Sequence, residues 1–496
     1  MSSGELLAGA AKVDVTPPIG RGSQYGKTTE IDLPLYTKAL VLNNGEETVA
    51  INTNDLIFID RETVVEVRKN VEKRTDIPGK NILFCASHTH EGPVTYQGIK
   101  PDYLIDRVSE ALCEAWHKMV QARIGAAQGK VVGLSINRRN PYGPADPDVG
   151  VVKVETVNGK PIAILLNFAC HGVVLGHNKY HGISPDYPGH ATKGVEDLLG
   201  GKTVALFANG PCGNINPYTS IGYTGFTNMG GTVEDADRIG RLLALEAVIV
   251  SDQIQMTEKV RLSTAYEMKR LGVRDNLNPK QRFEKLIDEK TQKLNSQKEK
   301  KVPEDQINNS QRDIKYLRDY YGVLLEAEKK AEYLNLEKNV ENPEKSEIQV
   351  IGINDMRLVG VPGEYFTEYG LYIKERALSM GYRAVLIAEL ANGGWWGYIP
   401  TEVAFEELGY EALNARIFTG LSNKAGKIIA DTALKLIAEC GKPTSAPPKP
   451  FIKRPLPKAA SHAIAPLSNS RVDRLLETLP YHHELRTRRL EDIRDL

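Results

Sequence analysis

The sequence predicts an α/β protein: a mixed, partly parallel sheet core with flanking helices and an inserted, charged helical hairpin. Three observations carry this. Short apolar runs bounded by turn residues alternate with segments of helical periodicity through the first 250 residues. The same texture returns after Ile348. Between the two the composition changes, with 25 of the 60 residues in 281–340 charged against 25% for the whole chain, so this stretch is not core sheet. Strands that alternate with helices need crossover connections, which is why part of the sheet is expected to be parallel.

In chain order, Ala39–Asn43, Val49–Asn52 and Ile82–Ala86 read as buried strands. Val64, Val67 and Val71 recur at helical spacing, as do Leu104, Val108 and Leu112. Further strands are expected at Val131–Ile136, Val151–Glu155, Ile162–Ala169 and Thr203–Ala208, and helices at Asp186–Leu199 and Val233–Val250. Within 276–347, Ile314, Leu317, Tyr321 and Leu324 keep an apolar helical stripe and Pro303 interrupts it, which predicts two helices joined near that proline. Strands Ile348–Ile353, Met356–Val361 and Ala384–Leu390 follow, with a helix over Glu364–Met380. The expected organisation is therefore one α/β domain from 1–275 and 348–442, a hairpin at 276–347, and a proline-rich linker and tail at 443–496. The last stretch, Arg471–Leu496, reads as one basic amphipathic helix.

Composition excludes several classes. The chain has 496 residues with 63 basic and 63 acidic side chains. Zero net charge argues against non-specific nucleic-acid binding, which needs a basic surface. No apolar run approaches the roughly 18 residues that span a bilayer, and the N-terminus lacks the basic and apolar segments of a signal peptide. Five widely spaced cysteines, an odd number, fit free thiols in a reducing compartment, so the protein is expected to be cytoplasmic. The oligomeric state is not legible.

The reactive residues share a position: they follow strands. NILFCA runs into Ser87-His88-Thr89-His90-Glu91-Gly92-Pro93, and AILLNFA into Cys170-His171-Gly172. TVALFA runs into Asn209–Asn214, MRLVGV into Pro362-Gly363-Glu364, and AVLIAEL into the segment Asn392–Thr401 that contains Tyr398. In open α/β sheets ligands bind beyond the carboxyl ends of strands, so five such clusters are expected to converge. His88, His90 and His171 offer imidazoles and Glu364 a carboxylate. Two histidines and a carboxylate with an open position form a recurrent catalytic zinc set, and bound zinc lowers the pKa of its water to about 7. His90 precedes Glu91-Gly92, not the Asp-His of a metallo-β-lactamase-type site. The sequence also lacks His-Glu-x-x-His, Gly-x-Ser-x-Gly and a phosphate-binding Gly-Lys-Ser/Thr loop. Cys170 is expected to pack in the core, because neighbours on a strand point to opposite faces.

These segments resemble the neutral (non-lysosomal) ceramidase family, zinc-dependent amidases that cleave the N-acyl bond of ceramide. GAAKVDVTPPIG is similar to the family's N-terminal signature, SHTHEGP to its Ser-His-Thr-His-Ser-Gly-Pro, and SINRR to its Asn-Arg-Ser-Pro. His171-Gly172, PGEYFT and GYIPT match further motifs in order, over most of Gly9–Ala438. The resemblance implies zinc ligands His88, His171, Glu364 and Tyr398, with His90 hydrogen-bonding the reacting group or moving a proton and Arg138 binding substrate or the oxyanion. Three features depart from the family. Asn216, in Gly213-Asn214-Ile215-Asn216-Pro217-Tyr218, stands where the family has a functional serine. The charged hairpin matches no family segment, and the C-terminal immunoglobulin-like domain of long ceramidases is expected to be absent.

The expected function is a zinc-dependent hydrolase of a carboxylic amide or ester, acting on a small-molecule or lipid acyl substrate of ceramide type. Tyr398, Arg138 and Asn216 would stabilise the oxyanion and His90 would protonate the leaving group. Trp395, Trp396 and Tyr410 either line an acyl pocket or pack beneath a glycine-rich loop. The alternatives are a carboxylesterase of small acyl esters and a non-catalytic zinc-containing binding protein in which Asn216 marks lost activity. A lactone or phosphoester hydrolase is a more distant reading, since an aspartate-rich two-metal set is missing.

Overall fold

The computed structural model describes residues 4–444 except 21, 24–25, 93–100, 177–179, 219–230, 273–276, 278, 330–345 and 395–396. Among the described residues, those within 4–282 and 346–444 belong to one compact unit and those within 283–329 to another.

The first unit holds two sheets. Strands β1 (Gly4–Asp14), β2 (Tyr36–Asn43), β3 (Thr48–Asn54), β4 (Ile82–Ala86), β5 (Val120–Lys130), β6 (Asp148–Thr156), β7 (Pro161–Phe168), β8 (Val204–Asn209) and β9 (Lys259–Val260) make a nine-stranded sheet. Its order is β8-β7-β6-β5-β1-β2-β3-β4, with β9 also on β1. Strands β10 (Leu262–Lys269), β11 (Ser346–Ile353), β12 (Met356–Gly360) and β13 (Ala384–Ala388) form a four-stranded sheet in chain order. The mixed α/β core predicted from sequence is present, and its parallel part is specific. Three pairs are parallel: β3 with β4, β7 with β8, and β12 with β13. Each is bridged by a helix, respectively α1 (Arg61–Arg74), α3 (Asp186–Leu198) and α7 (Thr367–Ser379), so three βαβ crossovers are set into otherwise antiparallel sheets.

Side-chain alternation explains the layering. Leu40 and Leu42 of β2, Leu83 of β4 and Leu206 of β8 point to a core shared with Leu358 and Leu386 of the second sheet. The intervening residues Val41, Ile82 and Phe84 pack under α1 and α2 (Pro101–His117), through Val64, Val67, Val71, Leu104, Val108 and Leu112. Ile164, Leu166 and Phe207 pack instead under α3 and α4 (Val233–Asp252). Ile373 of α7 and Ile429, Ala433 and Leu436 of the last helix cover the outer face of the second sheet. The result is helix, sheet, sheet and helix in four layers, with strands buried on both faces. That double burial is why these strands read as continuous apolar runs.

Two element expectations are corrected. Val131–Ile136 is not a strand: β5 ends at Lys130, Gly133 turns the chain at φ 86°, and Val132 is 84% exposed. Pairing resumes only at Ser135–Asn137, against Ile215–Pro217. β5 itself carries little apolar signal because Gly125 lies against Ile254 and Gln255, where a β-carbon would collide. The helix expected from Glu364 begins at Thr367, and Glu364–Tyr365 is a short strand paired with Tyr398–Ile399.

In the second unit, described over 283–329, helices α5 (Pro279–Glu299) and α6 (Glu304–Lys329) are joined across Lys300–Pro303. Phe283 stacks on Tyr321 with ring centroids 4.9 Å apart, and Lys290 pairs with Asp313 at 3.5 Å. Leu324 lies outside the described side chains, and Arg471–Leu496 outside the described residues.

Arg357 is the largest fully buried side chain among the described residues of the first unit. Its guanidinium donates to the carbonyls of Ile437, Cys440 and Gly441, at the C-terminus of the helix Ala425–Glu439, and to those of Asn354 and Met356. A cation there satisfies carbonyls that helix geometry leaves without partners and complements the helix dipole. Arg357→Met should therefore cost about 3 kcal/mol or more in urea unfolding, because it strands several buried acceptors at once.

Candidate active site

The three crossovers bring strand ends β4, β7, β8, β12 and β13 together, and the loops leaving them are laced by backbone hydrogen bonds. His90 N donates to Gly172 O at 3.3 Å and His171 N to Ile215 O at 3.1 Å. Gly213 N donates to Tyr365 O at 3.0 Å and Glu364 N to Gly397 O at 3.1 Å. Thr89 pairs with Gly172, and Glu364 with Tyr398, in parallel register. All five polar clusters noted in the sequence thus meet in one place.

His88 leaves β4 in the left-handed region, φ 64°, a conformation that is costly for a non-glycine residue. It turns the ring inward, where Nε2 lies 3.4 Å from Glu364 Oε2. His171 Nε2 lies 3.0 Å from the same oxygen. Each ring is oriented from behind by a carbonyl: His88 Nδ1 lies 2.8 Å from Ile57 O, and His171 Nδ1 2.6 Å from Cys212 O and 3.1 Å from Ile215 O. A carbonyl can only accept, so Nδ1 carries the proton and Nε2 of the neutral ring presents a lone pair. With both rings neutral, two lone pairs and a carboxylate converge on one point and repel one another unless a cation or a shared proton sits among them. Nitrogen and oxygen donors with carbonyl-anchored imidazoles suit zinc. His90 Nε2 lies 3.3 Å from His88 Nε2. The ligand atoms of His88, His90 and His171 all lie within 4.8 Å of one another.

Electrostatics follow from burial. His171 is lowered to about 4 by burial and by the charge of Arg138, against the pull of Glu364. Burial alone would lower His88, but Glu364 outweighs it and raises the ring. Burial would raise Glu364, and the two imidazoles reverse this and hold it well below the usual carboxylate range. Tyr398 stacks on His171 at 6.3 Å, and burial together with Glu364 pushes its phenol well above the usual value.

Arg138 and Asn216 are also brought together. Arg138 Nη1 donates to Asn216 Oδ1 at 3.2 Å, Nη2 to Gly213 O at 2.9 Å and Nε to Glu411 Oε1 at 2.8 Å. Its guanidinium lies 5.2 Å from the centre of the Tyr398 ring. Tyr410 packs edge-on against Tyr398 at 5.5 Å, whereas Trp395 and Trp396 lie outside the described residues. Cys170 packs in the core beneath α3.

Three residues of the site were not singled out from sequence. Glu389, fully buried at the end of β13, is raised to about 8 by burial. An acid that ends an otherwise apolar strand was the one signal for it. Asn392, held at φ 57°, accepts from Phe84 N and donates to Glu347 and Gln349, which ties β4 to the loop leading to Tyr398. In sequence it is part of an ordinary Asn-Gly turn. Glu411 has no sequence signal.

Glu411 is shared by two arginines, Arg138 on Oε1 and Arg139 on Oε2, each at 2.8 Å. Burial opposes its ionisation, but the two cations hold it down to about 2. A carboxylate lowered on folding stabilises the protein fully above its unfolded pKa, and the effect fades as pH falls toward the folded value. Glu411→Gln should therefore lower stability by on the order of 3 kcal/mol between pH 6 and 8, and by progressively less below about pH 4.5. Urea unfolding across that range measures it.

No family model matches the chain. Over 216 residues, 36% of the chain, it is 27% identical to neutral ceramidase A of Dictyostelium discoideum. It is 28% identical over 217 residues to neutral ceramidase B of the same organism, and 29% identical over 174 residues to the neutral ceramidase of Mycobacterium tuberculosis. The matched stretches span 27–30% of these curated relatives' own lengths. The crystal structure of neutral ceramidase from Pseudomonas aeruginosa superposes with a TM-score of 0.64, covering 90% of this chain and 76% of that one at 19% identity. A ceramidase complexed with C2 gives the same TM-score over 90% and 77% at 17% identity. The chain is thus similar in sequence to neutral ceramidases over about a third of its length and shares their fold over nine tenths of it.

Proposed function

We propose that the chain is a zinc-dependent hydrolase that cleaves the amide bond of an N-acyl lipid of ceramide type. One observation carries the reading: the Nε2 atoms of His88 and His171 meet one carboxylate oxygen of Glu364 at 3.4 and 3.0 Å, each ring anchored by its Nδ1 on a carbonyl. The names of the related proteins supply the substrate class. His88, His171 and Glu364 would hold the ion, with Tyr398 as a fourth donor beside Glu364. When bound, zinc supplies a Lewis acid and lowers the pKa of a coordinated water to about 7.

The chain's own residues do the rest. Arg138 is immobilised by Glu411, Gly213 O and Asn216, so its charge is fixed before the reaction begins. A preorganised cation stabilises negative charge developing on the carbonyl oxygen without reorganisation at the moment of reaction. Asn216 turns its side-chain oxygen to Arg138, which leaves its amide nitrogen to donate to the substrate's carbonyl oxygen. Through this amide, a residue without a hydroxyl serves at the position where the family has serine. An amine leaves only once protonated, and His90, half-buried with Nε2 3.3 Å from His88 Nε2, is the imidazole placed to deliver that proton.

Elemental analysis of the purified protein should find close to one zinc per chain. His171→Ala or Glu364→Ala should remove zinc and hydrolysis together; activity that persists without metal overturns the mechanism. Asn216→Ala should lower turnover about 10²-fold, and an unchanged rate returns Asn216 to a structural role. A panel pairing an N-acyl sphingoid amide with acyl esters tests the substrate. Turnover of esters alone would replace the amidase with a carboxylesterase.

A further inference from the structure

We propose that Glu389 is a positioning residue for the metal centre, setting His171 and Glu364 from behind through a single carboxyl group. The inference rests on the reading of His88, His171 and Glu364 as metal ligands and adds to it. Glu389 Oε2 accepts two backbone N–H groups, from Cys212 at 2.9 Å and from Tyr365 at 2.9 Å. Glu389 Oε1 accepts the Cys212 thiol at 2.8 Å. These contacts end on the two segments that matter. Cys212 O is the nearer carbonyl behind His171 Nδ1, at 2.6 Å, and Tyr365 directly follows Glu364. One oxygen atom therefore fixes the distance between the support of one ligand and the backbone of the other.

The position of Glu389 is itself overdetermined. Its own N–H donates to Asn209 O at the end of β8, and the next residue, Leu390, donates to Gly363 O. Leu390 sits at φ 53°, so the chain turns sharply just after the carboxylate and holds it at the strand end. No lysine or arginine pairs with Glu389 among the described residues. An acid fully buried with only two amides and a thiol as donors is costly to keep unless the geometry it enforces is useful. Outer partners that orient ligands in this way typically change metal affinity by about 10–100-fold when removed.

Three variants of the full chain test this, read by zinc affinity in chelator competition, by the visible spectrum of the cobalt-loaded protein and by unfolding of the metal-free protein. Glu389→Gln keeps an acceptor oxygen of the same reach and should bind zinc within about threefold of the original chain. Glu389→Met fills the same space without an acceptor and should weaken zinc binding at least 10-fold while the metal-free protein remains folded. Glu389→Asp withdraws the carboxylate by one methylene and should also weaken binding, with a shifted cobalt spectrum. A folded Glu389→Met protein with unchanged affinity overturns the proposal. If that variant does not fold, unchanged affinity and spectrum in Glu389→Asp overturn it instead. An unmodified chain that takes up neither zinc nor cobalt removes the metal centre itself, and this proposal falls with it. Loss of the Glu389 effect alone leaves the centre standing.

Discussion

The site depends on backbone hydrogen bonds between loops that are distant in sequence. The segments at 88–90, 171–172, 213–215, 364–366 and 397–399 are joined edge to edge, each to the next, by N–H···O bonds and short parallel pairings. A loop at a strand end would otherwise be free to vary, and variation of 1 Å is enough to spoil a ligand set. Lacing converts five loops into something closer to a small sheet. It also satisfies backbone groups that burial removes from water, so precision at the site and stability of the fold come from the same bonds.

The three βαβ crossovers supply the raw material for that lacing. A parallel pair returns both strands in the same direction, so both carboxyl ends face the same way. With β3 and β4, β7 and β8, and β12 and β13 parallel, the ends that carry His88, His171, Asn214, Glu364 and Glu389 emerge on one side of the two-sheet core. The antiparallel strands between them widen the core without contributing to the site. Within that core, Arg357 capping a buried helix end and Glu347 shared by Arg61 and Arg68 are charges kept for architecture.

Charge at the site is arranged in two compartments that meet at Tyr398. On one side Glu364 lies between His88 and His171, a set short of positive charge. On the other, Arg138 and Arg139 share Glu411, and Arg139 also meets the exposed Glu407, so the buried part of the set carries two cations on one carboxylate. Tyr398 stacks on His171 and takes the Arg138 guanidinium over its ring, so its phenol stands between the two. Under the proposed hydrolase reading, a substrate carbonyl drawn toward a cation at the first set would develop its negative charge toward the second. Asn216, bonded to Arg138, belongs to this second compartment, where an amide donor is as serviceable as a hydroxyl.

The sequence by itself determined what is local. The apolar runs of β2, β4, β7 and β8, the valine stripe of α1 and the strand-end position of His88, His171 and Glu364 are written in short-range pattern, because period-2 and period-3.6 burial leave a direct trace. The candidate site residues were legible because imidazoles and carboxylates placed after strands are the donor types a metal centre uses. Tertiary structure alone decided the rest. It decided that His88 turns inward through a left-handed backbone, that Asn392 and Glu389 are tethers rather than a turn residue and a strand end, and that Glu411 answers Arg138 across 273 positions of chain. Each of these depends on a partner far away in sequence, and a hydrogen bond between distant segments leaves no periodicity in either one.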